Sequence, residues 1–261
     1  MQVLDRLLSV AGRSHGWLLT ALVLSLSPAR SLALAAEACS VVSPRTIVPI
    51  VELYTSEGCN SCPPADRWLS GLKADPTVVA LAFHVDYWDR LGWKDRFAKA
   101  AFTERQVLQQ SSNGARFSYT PQVVVDGQDR KNWPQTPTAA PAGSRPLAEV
   151  EIALSRETGV YVATIVPSAR TPDRLAAYWA VTEQGHITAV KAGENVGVTL
   201  RHDDVVRDYE PVAAWKARAG AGKKLQFRPA SPAEAAHPRS VNLIVVDAAS
   251  GRPLQAVKLG C

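Results

Sequence analysis

Cys59 and Cys62 stand two residues apart, after the apolar run Ile47 to Tyr54 and directly before Pro63 and Pro64. A C-x-x-C pair so placed can close a local disulfide, hold a soft metal ion or exchange disulfides with another molecule. In exchange the thiolate is the nucleophile. With the prolines opening a helix, the unpaired backbone N–H groups and the positive dipole end at its start favour the anion on Cys59. Cys59 then attacks, and Cys62, one turn further on and more buried, resolves the mixed disulfide. A structural zinc site needs four N or S ligands. No second close cysteine pair supplies them, and His15, His84, His186, His202 and His237 are scattered, so no metal is assigned.

Other residues carry possible roles around this pair. Glu52 lies inside the apolar run: it either pairs with an arginine or faces an edge, or, kept near neutral pKa by burial, relays a proton to Cys62 as a catalytic acid. His84, Asp86 and Trp88 end a second run, Val78 to Val85, on its carboxyl side, where open parallel sheets bind ligands. Alternation puts His84 and Asp86 on one face. His84 is either a hydrogen-bonded core histidine or a neighbour of Cys59, and Trp88 and Trp93 supply packing or a rim. Glu194, Arg201, His202 and Arg207 form a polar cluster whose spacing no chemistry demands, which reads as a solvated face.

The elements that position these residues follow from periodicity. Ile47 to Tyr54 and Val78 to Val85 have the length and β-branched content of buried strands. Between them Ala65, Trp68, Leu69 and Leu72 recur at helical spacing, with Gly71 and Asp75-Pro76 as stops. Arg90 to Gln109 is helical in pattern, with Phe97, Ala101, Val107 and Leu108 on one side. Strand, helix, strand, helix implies parallel strands with right-handed crossovers. Thr120-Pro121, the run Gln122 to Val125 and Asp126-Gly127 then read as an edge hairpin. Pro134, Pro137, Pro141 and Pro146 mark a linker over 136–146. Beyond it, short runs at 150–154, 160–166, 175–181, 196–200, 224–227, 241–246 and 256–259 suggest an antiparallel sandwich. The expected organisation is an α/β domain over 36–135 and a smaller all-β domain over 147–261.

With 46% apolar and 20% charged residues among 261, the chain can bury a core. Lys and Arg outnumber Asp and Glu by only 29 to 24, with no long basic run, so no nucleic-acid partner is expected. Trp17 to Leu26 is too short to span a bilayer. Preceded by Arg6 and Arg13 and followed by Ala33-Leu34-Ala35, it reads as a signal peptide over 1–35, cleaved after Ala35, leaving no membrane span in a periplasmic or secreted protein. In an oxidising compartment four cysteines allow three pairings. Joining 59 to 62 and 39 to 261 separates a local redox pair from a structural staple; free or intermolecular thiols at Cys39 and Cys261 are the alternative.

Residues 51–66, VELYTSEGCNSCPPAD, resemble the signature of a family of exported bacterial thioredoxin-like proteins of unknown function. FHVDYWDRLGWKD at 83–95 and YTPQ at 119–122 are similar to its other marks, and Gly193-Glu194-Asn195 and Arg201 to Arg207 match its C-terminal half more loosely. The resemblance implies a thioredoxin-like fold followed by a β-rich domain. It also implies a cis proline beside the cysteines, at Pro121, with Thr120 presenting backbone to a bound peptide.

The leading expectation is a thiol-disulfide oxidoreductase that needs no cofactor and acts on protein thiols or disulfides together with an unidentified redox partner. The alternatives are a Cu(I)-binding protein using the same cysteines, with His84 as a third ligand, and an exported interaction module with a static disulfide.

Overall fold

The computed structural model describes residues 39–135 and 145–261. The expected signal peptide, 1–35, and most of the expected linker lie outside them. The chain opens with β1 (Ser40–Val42) and β2 (Ile50–Thr55), whose six residues are all buried. Helix α1 (Pro63–Ser70) starts on two prolines, which suit a first turn because the N–H they lack has no helical partner there. It buries Ala65 and Leu69 and ends at Gly71. Then come β3 (Val79–His84), a single 3-10 turn at Asp89–Leu91, and α2 (Ala100–Asn113). The hairpin of β4 (Gln122–Val125) and β5 (Gln128–Asp129) turns on Asp126 and Gly127 at φ 49° and 79°, the positive-φ pair that a two-residue hairpin loop requires.

Nine further strands follow: β6 (Val150–Glu157), β7 (Val160–Pro167), β8 (Arg174–Glu183), β9 (His186–Ala189), β10 (Thr199–His202), β11 (Val205–Lys216), β12 (Lys223–Phe227), β13 (Arg239–Asp247) and β14 (Pro253–Leu259). They overturn the expected division into an α/β thioredoxin-like domain and a separate, smaller all-β domain. One eight-stranded sheet runs in the order β14-β13-β8-β11-β3-β2-β4-β5, so strands from both halves of the chain share a single ladder. The join is β11, which pairs antiparallel with β8 and, at Val205 opposite Ala82, parallel with β3. Two α-helices against fourteen strands in three sheets make the described protein predominantly β.

Each face of the large sheet is covered differently. On one face Val51, Leu53, Ala80 and Ala82 pack against Ala65 and Leu69 of α1. The same face continues through Leu175, Trp179, Leu243 and Val245, which meet Ile152, Leu154, Ala163 and Ile165 of the four-stranded sheet β1-β6-β7-β12. Trp179 is fully buried there and stacks on Phe227 at 5.1 Å between ring centroids. On the opposite face Ile50, Tyr54, Leu81, Phe83 and Ile244 pack with Phe102 of α2.

The disulfide Cys39–Cys261 ties the residue before β1 to the chain end beyond β14. Closing a loop this long stabilises by at most about 5 kcal/mol on the chain-entropy estimate.

Helix α2 departs from expectation in its start and in its buried side. Residues 92–99 are not helical, and Val107 and Leu108 are 52% and 75% exposed. The buried side is Phe102, Arg105 and Gln106. Polar side chains face the sheet because it presents polar partners to them, Glu52 of β2 to Arg105 and Gln122 of β4 to Gln106.

Candidate functional site

Cys59 and Cys62 form a disulfide that closes the turn between β2 and α1. The turn is built from backbone: Cys59 N–H donates to Ser56 O at 3.1 Å and Cys62 N–H to Cys59 O at 3.3 Å. Cys62 itself is the N-cap. The expectation that unpaired helix N–H groups hold a Cys59 thiolate is corrected by this arrangement. Pro63 and Pro64 have no N–H, and those of Ala65 and Asp66 both close on Cys62 O. The polar neighbour of Cys59 Sγ is the Ser61 hydroxyl at 3.4 Å. Both cysteines are 0% exposed.

Behind the turn, on the α1 face of the sheet, lies a group of buried ionisable side chains. His84 Nδ1 is 2.6 Å from Asp95 Oδ2, and both side chains are fully buried. Burial pulls the His84 pKa down, but the Asp95 carboxylate outweighs it and raises the histidine above its ordinary value. Asp95 is held below the ordinary carboxylate range: burial opposes, and His84 with the N–H groups of Glu57 and Phe97 prevails. Glu57 accepts from Trp93 Nε1 at 2.8 Å and lies 3.5 Å from His202 Nε2; these and Thr188 lower its pKa against the effect of burial. Asp66, four residues past Cys62 on α1, is pushed up by burial, which the nearby histidines offset only in part.

Four of the five histidines fall in one aromatic row. His84 packs against His202 at 4.9 Å between centroids, both contact Phe97, Phe97 meets His186 at 4.8 Å, and His186 stacks on His237 at 3.7 Å. His186 is held by Glu183, which also pairs with Arg207 and Arg239. Burial and the neighbouring His237 lower the His186 pKa to about 4. The sequence showed these histidines as scattered because His186 and His202 stand on β9 and β10 and His237 just before β13, far along the chain from β3. Among the described residues no group of three metal-ligating side chains is set to hold an ion.

Trp88 bridges two parts of the site: its Cβ lies against Gly58, and its indole N–H donates to Thr120 Oγ1 at 2.8 Å. Thr120 and Pro121, joined by a cis peptide bond, precede β4, whose Gln122 pairs with Tyr54 at the end of β2 that leads to Cys59. Thr120, Pro121, Trp88 and His84 are therefore gathered at the cysteine end of the sheet. Asp86 is not. The strand ends at His84, alternation stops with it, and Asp86 accepts from Thr103 of α2 at 2.6 Å.

Glu52 is also on the α2 side, the face opposite α1. Its carboxylate accepts from Arg105, from the Tyr178 hydroxyl at 2.5 Å and from Gln109 at 2.8 Å. The Arg105 guanidinium lies over Tyr178 at 3.9 Å, and burial raises the Tyr54 and Tyr178 hydroxyls well above their ordinary pKa. The arginine-paired reading of Glu52 describes this geometry; it brings no Glu52 atom to the cysteines.

Three site residues come from the far half of the chain. Asn195 Nδ2 donates to Glu57 O at 2.9 Å and to Cys59 O at 3.0 Å, and Glu194 accepts from Asn60 N–H at 3.3 Å. His202, expected on a solvated face, is 2% exposed beside Glu57. The loose matches at Gly193-Glu194-Asn195 and Arg201 to Arg207 were the sequence signal for these residues.

No curated protein matches the chain. The structure of protein AGR_C_4864 from Agrobacterium tumefaciens is similar at 25% identity and a TM-score of 0.59, over 83% of this chain and 96% of that one. HBP35 of Porphyromonas gingivalis matches at 15% identity and a TM-score of 0.57, over 83% of this chain and 76% of that one, a likeness of fold alone. A family model matches residues 50–246, from β2 through most of β13, and so takes in the cysteine turn, the buried ionisable group and the Asn195 segment together: the chain belongs to DUF1223, a family of proteins of unknown function.

Proposed function

We propose that the protein is an exported thiol-disulfide oxidoreductase acting on protein thiols or disulfides through Cys59 and Cys62. The observation that carries this reading is the placement of the pair. A local disulfide closes the turn between a buried strand and a helix, and Glu57, Asp66, His84 and Asp95 are buried beside it with shifted pKa values. Shifted ionisable groups packed against a reactive pair are a mark of functional sites. The two disulfides fit an oxidising compartment. Kinship with the thioredoxin superfamily is part of the reading, carried by the C-x-x-C turn and the nearby Thr120-Pro121 rather than by the architecture.

In the oxidative direction a substrate thiolate attacks Cys59 Sγ, the Cys59–Cys62 bond breaks, and Cys62 leaves as a thiolate that takes up a proton. The second substrate thiol gives up its proton and attacks the substrate sulfur of the mixed disulfide, which expels Cys59. Two electrons and two protons pass from the substrate dithiol to the cysteine pair; reduction runs the same steps backward. In this reading Asp66, one helical turn past Cys62 on α1 and with a pKa raised by burial, holds the proton for Cys62, the role anticipated for Glu52. The poor supply of donors at Cys59 gives little stabilisation to a thiolate, which sets the pair toward the reducing end of the catalytic range.

The test is trapping. With a disulfide-bonded peptide, the reduced Cys62→Ser protein accumulates a mixed disulfide through Cys59, seen by mass spectrometry without reductant, while Cys59→Ser forms none. Absence of any adduct with Cys62→Ser overturns the proposal. The static-disulfide reading is favoured by one observation, the 0% exposure of both cysteines, and predicts that outcome.

A further inference from the structure

Cys59 and Cys62 are enclosed, while Asn60 and Ser61 between them face solvent. No partner sulfur reaches Cys59 in that arrangement, so exchange requires a neighbour of the turn to move. Helix α1, β2 and Trp88 are fixed by the core on several sides. Residues 191–198, the tip between β9 and β10, are not. Strands β9 and β10 form a two-stranded sheet of their own, outside the eight-stranded ladder, and such a pair is marginal without further packing. Val190 and Leu200 anchor its base at 1% and 5% exposure, whereas Val196 and Val198 on the tip are 62% and 43% exposed.

What holds the tip on the turn is mainly polar. Asn195 is the one buried residue within 191–198, and both of its bonds go to carbonyls flanking Gly58, those of Glu57 and Cys59. An amide NH₂ suits two carbonyl acceptors; a carboxylate in its place offers no donor to either. Glu194 adds a longer contact to Asn60 N–H, and Gly193, at φ 74°, brings its backbone against Trp93, where a Cβ would lie 3.1 Å from that of Trp93.

We propose that Asn195 is the latch of a gate formed by residues 191–198, which keeps the Cys59–Cys62 disulfide closed until the tip lifts from the turn. This rests on the redox reading of the pair and adds its regulation: the distal half of the chain decides when Cys59 is available. Asn195 is a positioning residue, touching the backbone of the reactive turn and no reacting atom.

The test measures reduction of the oxidised full chain by tris(2-carboxyethyl)phosphine. This reagent attacks a sulfur, breaks the S–S bond and ends as the phosphine oxide with oxygen from water, leaving two thiols. With both hydrogen bonds removed, Asn195→Ala is expected to raise the rate about tenfold or more, and Asn195→Asp further, at a melting temperature close to the parent's. Parent rates in both folded variants overturn the latch. Should the variants unfold, hydrogen exchange in the parent decides. The internally bonded amides of Val196, Gly197 and Val198 are expected to exchange much faster than those of β8 and β13; protection equal to those strands overturns the gate. A disulfide potential outside the catalytic range with a fast Asn195→Ala variant removes the redox function and leaves the gate, whereas the reverse pattern removes the gate alone.

Discussion

Glu52 and Arg105 form a buried ion pair on the α2 face of the large sheet, opposite the face that packs against α1. Removing one partner leaves a buried charge without its counterion, so Arg105→Met is expected to cost about 3–5 kcal/mol. Urea unfolding measures the loss. The potential of the Cys59–Cys62 pair is expected to stay at the parent value in a folded Glu52→Gln variant; a marked shift would return Glu52 to the redox site.

Burial raises the Asp66 pKa, so the native state holds its proton to higher pH than the unfolded chain, and folding weakens as pH rises from the ordinary value of 3.8 through the raised one. Asp66→Asn is therefore expected to be more stable than the parent at neutral pH. Loss of the proton store slows cleavage of the disulfide about a hundredfold. Stopped-flow reduction with a dithiol across pH checks both the rate and the missing titration.

Two histidines should shape the pH-stability curve in opposite senses. His84 is raised above 6.5, so its contribution is complete below the unfolded value and is lost as pH rises through the folded one. His186 is lowered to about 4, so as pH falls below about 6.5 the unfolded chain takes up a proton that the native state refuses. Its contribution is lost between those two values. Unfolding free energies at a series of pH values are expected to lose the alkaline decline in His84→Gln and to lose part of the acid decline in His186→Asn. Slopes identical to the parent's refute the assignments.

The Cys39–Cys261 bridge joins the ends of the described fold at a sequence separation of 222. Replacing both cysteines with serine is expected to cost about 2–5 kcal/mol in denaturant. Because the bridge lies against the sandwich core and not the cysteine turn, the same variant should reduce at Cys59–Cys62 at the parent rate.

The local signals in the first half were strong because they concern short-range chemistry: a β2 that is apolar but for Glu52 and Thr55, two prolines opening α1, an Asp-Gly turn. The pairing of β2 with β3 in parallel follows from the single helix between them. What the sequence concealed was β11. Val205–Lys216 carries Arg207, Asp208, Glu210 and Pro211, is exposed over much of its length and has two breaks in register, so it has neither the alternation nor the apolar run that marks a strand. Missing it turned one continuous sheet into two expected domains.

The site was half legible for the same reason. Cys59, Cys62, His84, Trp88 and Thr120 come from segments whose strand ends were readable. Asn195 and His202 reach the turn only because β8 and β11 return to β3. In α2 the apolar residues Val107 and Leu108 pointed to the wrong side, since burial there follows polar partners invisible to periodicity, Glu52 for Arg105 and Gln122 for Gln106.

The central claim, that Cys59 and Cys62 are a working redox pair, is tested most directly by their equilibrium reduction potential against a glutathione or dithiothreitol buffer. Redox catalysts span about −120 to −270 mV, whereas structural disulfides lie below about −300 mV. With few donors to hold a Cys59 thiolate, the pair is predicted near the lower end of the first range, about −270 mV. A value below about −300 mV would contradict the account and make Cys59–Cys62 a static bridge.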